Sequence, residues 1–375
     1  RNLMSLALGT AEGWSADDAG VRVFFHHGPV VPATSDGMAG MAAVHNADGT
    51  ATFTASDQPY FRYDGVIFPG ETSDAKPWRW RLSPNVTAFE FAVLVSAEVA
   101  EPARGEPFVV FDMLVDGNRD LYRVRLDGSD FERLTTSTAD DREPTVAGDR
   151  VVFTSYRDGN AELYALSLEA PGAAPVRLTN TAGGEREAAL SPDGTRVAYI
   201  SDVSKLPRLW LMEADGSGAV PVTTGHGHSG AIEASPSWAP DGTRVVFVST
   251  TRGDADLYIL DVASGEITPL VVSSKADVES SWSPDGAHVV FASNRDGPTR
   301  LYRVAVATGE IEMLTKGDGP AGQPSYLPDG RIVYTSWESG APALRWLDPS
   351  RPGETHAIPL PAGTPGHPAG SGKAP

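Results

Sequence analysis

A short turn that recurs at nearly constant spacing constrains the fold more than any other feature of this sequence. Pro-Asp-Gly occurs four times, and successive copies are 48, 44 and 44 residues apart. Proline presets φ at the first corner of such a turn, and the glycine accepts positive φ. Self-similarity at this period is typical of solenoids and propellers. With the preceding residue included, the turns are 191–194, 239–242, 283–286 and 327–330.

Each repeat contains four short stretches of strand-forming residues. A β-branched and aromatic stretch such as Val245-Val246-Phe247 follows the turn, and a second one such as Leu301-Tyr302 comes next. No helical period separates them, and four strands every 40-odd residues are typical of a propeller blade. Extending the alignment towards the N-terminus gives six repeats, and hence a six-bladed β-propeller, over 101–136, 137–180, 181–224, 225–272, 273–316 and 317–360.

The turn, the strand after it, the polar segment Ser293-Asn294-Arg295-Asp296-Gly297 and the closing Leu-Thr resemble a known repeat. Over roughly residues 101–360 the chain resembles the TolB-like, WD40-like (PD40) propeller family. Relatives in that family include periplasmic scaffold proteins, propeller caps of serine peptidases and polysaccharide lyases. TolB itself carries an α/β domain ahead of its propeller, and this sequence has no such pattern there, so the resemblance does not imply TolB itself.

The two ends of the chain differ from the repeats. Residues 1–100 alternate apolar and polar residues in several stretches separated by Gly, Pro, Asn and Asp, which predicts an immunoglobulin-like β-sandwich. The whole chain is therefore expected to be all-β. Residues 361–375 are rich in Pro and Gly, and we expect them to form a tail that buries no core.

Composition excludes several classes of partner and site. The formal net charge of −19 argues against nucleic acid as a partner, because nucleic-acid binding needs a basic surface. The chain has no cysteine, which excludes disulfides, thiolate nucleophiles and cysteine-type metal sites. No apolar run is long enough for a membrane span. The absence of cysteine, with Arg1 as the first residue, favours a secreted, periplasmic or cell-surface protein.

Acidic residues recur at two positions of the inner strand, five and seven residues before the proline of the turn. Inner strands line the central channel of a propeller, so we expect these carboxylates to gather at one end of it. They could bind a cation, for which the all-oxygen ligand set favours calcium, or a cationic partner. The alternative is that they bond to neighbouring backbone in a wet channel. The candidate residues are Glu101, Asp141, Glu143, Glu185, Glu187, Glu233, Asp277 and Glu279.

One repeat is four residues longer than its neighbours, and the insertion falls in a glycine-rich stretch that contains His226 and His228. With Glu233 nearby, these imidazoles could hold a transition metal. A plain surface loop is the alternative interpretation.

The sequence favours a non-catalytic binding or scaffold protein that uses a propeller face to recognise a protein or a glycan. A self-assembling filament subunit, and hence a homo-oligomer or polymer, is a second hypothesis. A metal-dependent polysaccharide lyase or hydrolase is a third. The sequence lacks the Gly-x-Ser-x-Gly motif of an α/β-hydrolase, and we assign no catalytic residue.

Overall fold

The computed structural model describes residues 107–370, apart from 171, 224–229 and 318. It also describes residue 84 and the backbone of six strands between residues 21 and 97. The chain divides into two compact units. One contains residues 1–103 and 129–131, and the other contains the remainder.

The N-terminal unit contains two antiparallel sheets. Four strands pair in the order β3-β4-β1-β6, and β2 pairs with β5. The immunoglobulin-like arrangement stays a prediction. The strands are β1 (Val21–Thr34), β2 (Ala42–Val44), β3 (Gly49–Ala51), β4 (Gln58–Tyr63), β5 (Trp80–Leu82) and β6 (Val86–Ala97).

The second unit is a six-bladed β-propeller, as the repeats predicted. Each blade is a four-stranded antiparallel sheet. Blade 1 comprises β7 (Phe108–Val115), β8 (Asn118–Arg125), β9 (Glu132–Arg133) and a C-terminal strand given below. Blade 2 comprises β10 (Asp141–Ala147), β11 (Arg150–Ser155), β12 (Glu162–Ser167) and β13 (Val176–Arg177). Blade 3 comprises β14 (Glu185–Leu190), β15 (Arg196–Ser201), β16 (Arg208–Glu213) and β17 (Val220–Pro221).

The remaining blades repeat this plan, with the innermost strand first in the chain. Blade 4 comprises β18 (Glu233–Trp238), β19 (Arg244–Ser249), β20 (Asp256–Asp261) and β21 (Ile267–Val271). Blade 5 comprises β22 (Asp277–Trp282), β23 (His288–Ser293), β24 (Arg300–Ala305) and β25 (Ile311–Met313). Blade 6 comprises β26 (Ala321–Tyr326), β27 (Ile332–Ser336), β28 (Ala343–Leu347) and β29 (Thr355–Ala357).

The C-terminal segment supplies the innermost strand of blade 1. Strand β30 (Thr364–Gly370) pairs antiparallel with β7, with Thr364 opposite Leu114 and Gly370 opposite Val109. The prediction of a tail without packing is therefore wrong for this stretch. Prolines and glycines are tolerated because the innermost strand is an edge strand with one hydrogen-bonded neighbour. The predicted inner strand of this blade, near Glu101, lies outside the described residues.

Aromatic pairs form the core of the blades. Phe111 and Phe153 on second strands are fully buried, and each packs against a tyrosine on the third strand with ring centroids 6.0 and 6.1 Å apart. Blades 4 and 5 repeat the pair at 6.1 and 5.9 Å. Such cross-strand aromatic pairs stabilise a sheet beyond simple burial. The sequence places a phenylalanine there because the second strand is buried on both faces.

Candidate functional site

Six residues, one on each inner strand, share an unusual backbone conformation. Their φ angles lie between 41° and 55°, in the left-handed region that non-glycine residues seldom adopt. In every blade the register between the inner and second strands shifts at this residue, which marks a β-bulge. We call these residues the channel ring: Glu143, Glu187, Ser235, Glu279, Gln323 and His367.

Hydrogen bonds join the channel ring from blade to blade. The backbone N–H of Glu187 donates to Oε2 of Glu143 at 3.1 Å. The N–H of Ser235 donates to Oε2 of Glu187 at 2.6 Å. Serine is shorter than glutamate, and its hydroxyl bonds back to the same Glu187 oxygen at 3.3 Å. In this half of the ring each glutamate therefore joins its own blade to the next by a hydrogen bond.

The other half of the ring continues the pattern. The N–H of Gln323 donates to Oε2 of Glu279 at 2.7 Å, and the N–H of His367 donates to Oε1 of Gln323 at 3.0 Å. The same geometry thus recurs with a carboxylate or an amide as the acceptor. Gly322 makes room for this contact, because a Cβ atom there would lie 2.8 Å from Glu279 Oε2.

A buried carboxylate on β7 closes the ring between blade 1 and blade 2. Asp112 accepts a hydrogen bond from the Glu143 N–H at 3.1 Å, and its Oδ2 lies 2.7 Å from His367 Nδ1. Arg119 forms an ion pair with the other oxygen of Asp112. Asp112 is fully buried, so these partners satisfy a charge that solvent does not reach. We call Asp112, Arg119 and His367 the clasp.

Electrostatics favours the charged form of the clasp. Burial acts to raise the pKa of Asp112, but His367, Arg119 and the Glu143 N–H outweigh it and hold the pKa below its usual value. Burial acts to lower the pKa of His367, but Asp112, Glu143 and Glu279 outweigh it and raise the pKa. Opposite shifts of this kind indicate an imidazolium–carboxylate pair.

The channel ring surrounds a cavity of about 280 Å³. Glu143, Glu187 and Glu279 contribute carboxylates to its wall from three blades. Burial, followed by the nearby charge of Glu143, raises the pKa of Glu187. The site therefore concentrates negative charge that is incompletely compensated, and a cation entering the cavity would relieve it.

A larger cavity of about 750 Å³ adjoins the first. The two share Pro144, Pro236, Pro324 and Pro368 in their walls. Trp238, which precedes a Pro-Asp-Gly turn, also lines the larger cavity. We place the candidate site at the smaller cavity, because the convergent ionisable side chains lie there and size alone does not define a site.

The structure separates the two sets of acids that the sequence analysis placed together. The first residues of four inner strands are at most 1% exposed, and they lie at the interfaces between neighbouring blades rather than on the channel wall. A regular strand would direct its first and third residues to the same face, but the bulge at the third residue breaks that alternation. We call this set the seam acids: Asp141, Glu185, Glu233 and Asp277.

The seam acids bind groups within the protein. Arg157 donates two hydrogen bonds of 3.0 Å to Asp141, and Arg295 donates one of 2.7 Å to Asp277. Glu233 accepts a hydrogen bond from the Leu209 N–H at 2.7 Å. Burial raises the pKa of both Asp141 and Glu233. The two arginine contacts lie within one blade, whereas the contact between Glu233 and Leu209 joins blade 4 to blade 3.

The remaining predicted residues lie outside the described part of the chain. Glu101, His226 and His228 are in this group, so their roles stay predictions. Among the described residues, no group of three or more His, Asp or Glu side chains is placed to hold a metal ion. Calcium binding by the acidic positions also stays a prediction.

Sequence reasoning missed His367 and Asp112. His367 lies 44 residues after Gln323, and each is followed by proline, as are Glu143 and Ser235. Extending the repeat by one more period would have found His367. Asp112 carried a weaker signal, because the matching residue of the next blade is Thr154 and the contact between Asp112 and His367 spans 255 positions.

Comparisons with known proteins agree with this architecture. Residues 189–353 match the family model of the TolB beta propeller domain, PD40. A segment of 48 residues is 44% identical to the Tol-Pal system protein TolB of Anaeromyxobacter dehalogenans (strain 2CP-C). It covers 13% of this chain and only 10% of that relative. The second unit is therefore a TolB-like propeller.

Solved structures show the same fold at low sequence identity. TolB from Acinetobacter baumannii superposes with a TM-score of 0.61 at 16% identity, over 78% of each chain. A chain of a nidogen/laminin complex superposes with a TM-score of 0.55 at 13% identity, over 71% of this chain and 97% of that one. At such identities the likeness extends to the fold alone.

Proposed function

We propose that this protein is a binding scaffold that receives a basic segment of a partner protein at the channel ring. The observation that carries the proposal is the cavity of about 280 Å³ with glutamates from three blades in its wall. Its volume is near the lower end of ligand pockets, about 300 Å³, and so suits side chains or a short extended segment.

The ring offers acceptors and few donors. Backbone N–H groups of Glu187, Ser235, Gln323 and His367 are already donated to neighbouring side chains. An anionic ligand or an oxyanion intermediate would need such donors free, whereas a lysine or arginine needs acceptors. Complementary charge also steers the encounter of two proteins. The arrangement therefore supports recognition of a cation.

A charge-matched comparison tests this proposal. Isothermal titration calorimetry would measure pentalysine binding to the wild-type protein and to the triple variant Glu143→Gln/Glu187→Gln/Glu279→Gln. Glutamine keeps an oxygen that accepts the neighbouring N–H, so the ring should persist while its charge is lost. We expect at least tenfold weaker binding, about 1.4 kcal/mol.

The control removes the same charge elsewhere. Glu213, Glu266 and Glu310 are exposed and do not line the cavity, and changing all three to Gln also removes three negative charges. We expect this variant to bind pentalysine as the wild type does. Equal weakening in both triple variants would show attraction to overall charge and refute a site at the ring.

We infer an exported protein, secreted, periplasmic or on the cell surface, in line with the lack of cysteine. Among the described residues, no helix has the length and apolarity to cross a membrane. Glycan recognition and self-assembly are the alternatives to a protein partner. Sedimentation at increasing concentration tests assembly, and a constant monomer mass would refute it.

A further inference from the structure

Three of the blade interfaces bring two acids together. An acid near the start of the third strand in one blade approaches the seam acid of the next blade, and one serine or threonine bridges both. Ser273 donates its N–H to Asp256 at 3.0 Å and its hydroxyl to Asp277 at 2.9 Å. The three pairs are Asp120 with Asp141, Glu162 with Glu185, and Asp256 with Asp277.

In two of these pairs an arginine binds the seam acid. Arg157 binds Asp141 in blade 2, and Arg295 binds Asp277 in blade 5. Each of these arginines lies two residues after the serine that ends the second strand of its blade. The matching residue of blade 3 is Val203, which carries no charge. Its N–H donates to the Ser201 hydroxyl at 3.2 Å, and the N–H of Arg295 donates to the Ser293 hydroxyl at 3.3 Å, so the two turns share this hydrogen bond.

The pair whose seam acid has no arginine partner, Glu162 and Glu185, is fully buried. Thr181 joins the two carboxyls, because its N–H donates to Glu162 Oε1 at 3.1 Å and its hydroxyl to Glu185 Oε1 at 2.7 Å. The Ser201 hydroxyl also donates to Glu185 Oε1, at 2.8 Å. All of these contacts use Oε1.

The two Oε2 atoms are left without a partner. Both are buried, neither has a hydrogen bond, and the two carboxyls lie within hydrogen-bonding reach of each other. Two ionised carboxylates in such a place would leave both oxygens unsatisfied and repel each other. One proton satisfies both oxygens at once, since a carboxylic acid donates and a carboxylate accepts.

We propose that Glu162 and Glu185 form a proton-binding site between blades 2 and 3, in which one proton bridges their Oε2 atoms. The proton resides on Glu185, because Arg177 donates to Glu162 Oε1 at 2.9 Å and places its positive charge beside that carboxyl. Arg177 also faces Asp158 at 3.4 Å, and Tyr199 lies near Glu185 on β15. The proton on Glu185 thus takes the place of the arginine that binds the seam acid at the other two interfaces.

The direction of the Glu185 pKa agrees with this geometry. Burial raises it, the hydroxyls of Thr181 and Ser201 oppose the rise, and Glu162 adds to it. A raised pKa means that the folded protein binds the proton more tightly than the unfolded chain does. Stability from this site is therefore full below the ordinary glutamate pKa and is lost as pH rises through the folded pKa.

Two variants test the site through the pH dependence of thermal unfolding. Glu185→Gln replaces the acid with an amide that donates to Glu162 permanently, and Val203→Arg supplies the missing guanidinium. Both should raise Tm at alkaline pH and flatten the decline between acidic and alkaline pH. The gain should be about 3–5 °C for each tenfold by which folding tightens proton binding. Infrared difference spectra on acidification should show a carboxylic acid band in the wild type that Glu185→Gln lacks.

The controls distinguish a bound proton from a bound cation and from a simple loss of packing. Asp277→Asn, at an interface that already has its arginine, should lower Tm at every pH. Destabilisation by Glu185→Gln at all pH values, together with no wild-type carboxylic acid band, would overturn the proposal. So would a rise in wild-type Tm with millimolar calcium at neutral pH that Glu185→Gln abolishes, because the site would then bind a cation. None of these readouts depends on pentalysine binding.

Discussion

The seam acids and the channel ring occupy the same strands, two residues apart, and serve different purposes. Asp277 is fully buried against Arg295, whereas Glu279 on the same strand lines the channel cavity. A β-bulge with positive φ at the third residue makes the difference. Residue type and spacing alone do not separate a structural carboxylate from an accessible one, because a single bulged residue changes the direction of the side chain.

The largest effect should follow removal of a seam acid that has an arginine partner. Asp277→Ala leaves the Arg295 guanidinium, mostly shielded from solvent, without its carboxylate. Breaking one partner of a buried ion pair costs about 3–5 kcal/mol. Urea denaturation should show a loss of this size, and Glu266→Ala at an exposed site should change stability by less than about 0.5 kcal/mol. Equal stabilities of the two variants would contradict a structural role for Asp277.

A smaller but pH-dependent effect should follow removal of the clasp. His367→Ala removes the hydrogen bond to Asp112 that helps to close the ring, and a bond to a charged group contributes about 1.5–3 kcal/mol. The raised pKa of His367 means that its contribution is full below about 6.5 and is lost as pH rises through the folded pKa. Asp112 has a lowered pKa, so its contribution is present above about 3.8 and is lost on further acidification.

Urea denaturation across pH measures this clasp directly. The difference in stability between the wild type and His367→Ala should be widest in mildly acidic solution and should narrow in alkaline solution. His367→Gln is the control, because it leaves the backbone bond to Gln323 in place and does not titrate. A difference that stays constant with pH would show that the imidazole packs without acting as a charged partner.

The sequence predicted the blades well because each blade has a local signal. The Pro-Asp-Gly turn fixes the hairpin between the first and second strands, and Gly194 and Gly286 take positive φ there, at 70° and 69°. For the channel ring, the sequence predicted which strand positions carry acids but not how their side chains are arranged. Its geometry depends on bulges, and its closure depends on Asp112 and His367, which are far apart in the chain. Contacts between residues so far apart leave no local pattern in the sequence. Strand β30 was not predicted because its segment is rich in proline and glycine.

The smallest effect on stability should follow neutralisation of the channel ring itself. Glu279→Gln keeps an oxygen to accept the Gln323 N–H and leaves the Glu279 backbone conformation unchanged, so we expect a change below about 1 kcal/mol. For Glu187→Gln the sign should depend on pH, because burial and Glu143 raise the pKa of this carboxyl. The wild type is therefore favoured in acid, and the variant should gain relative stability as pH rises through the folded pKa.

Together with Asp277→Ala, these ring variants sharpen the contrast between two residues of one strand. Loss of a carboxylate at the seam should unfold the protein more easily and leave pentalysine affinity per folded molecule unchanged. Loss of a carboxylate at the channel ring should weaken pentalysine binding and leave stability nearly unchanged. If Glu279→Gln lowered stability as much as Asp277→Ala does, both positions would be structural, and the acidic channel would be a consequence of how neighbouring blades are joined.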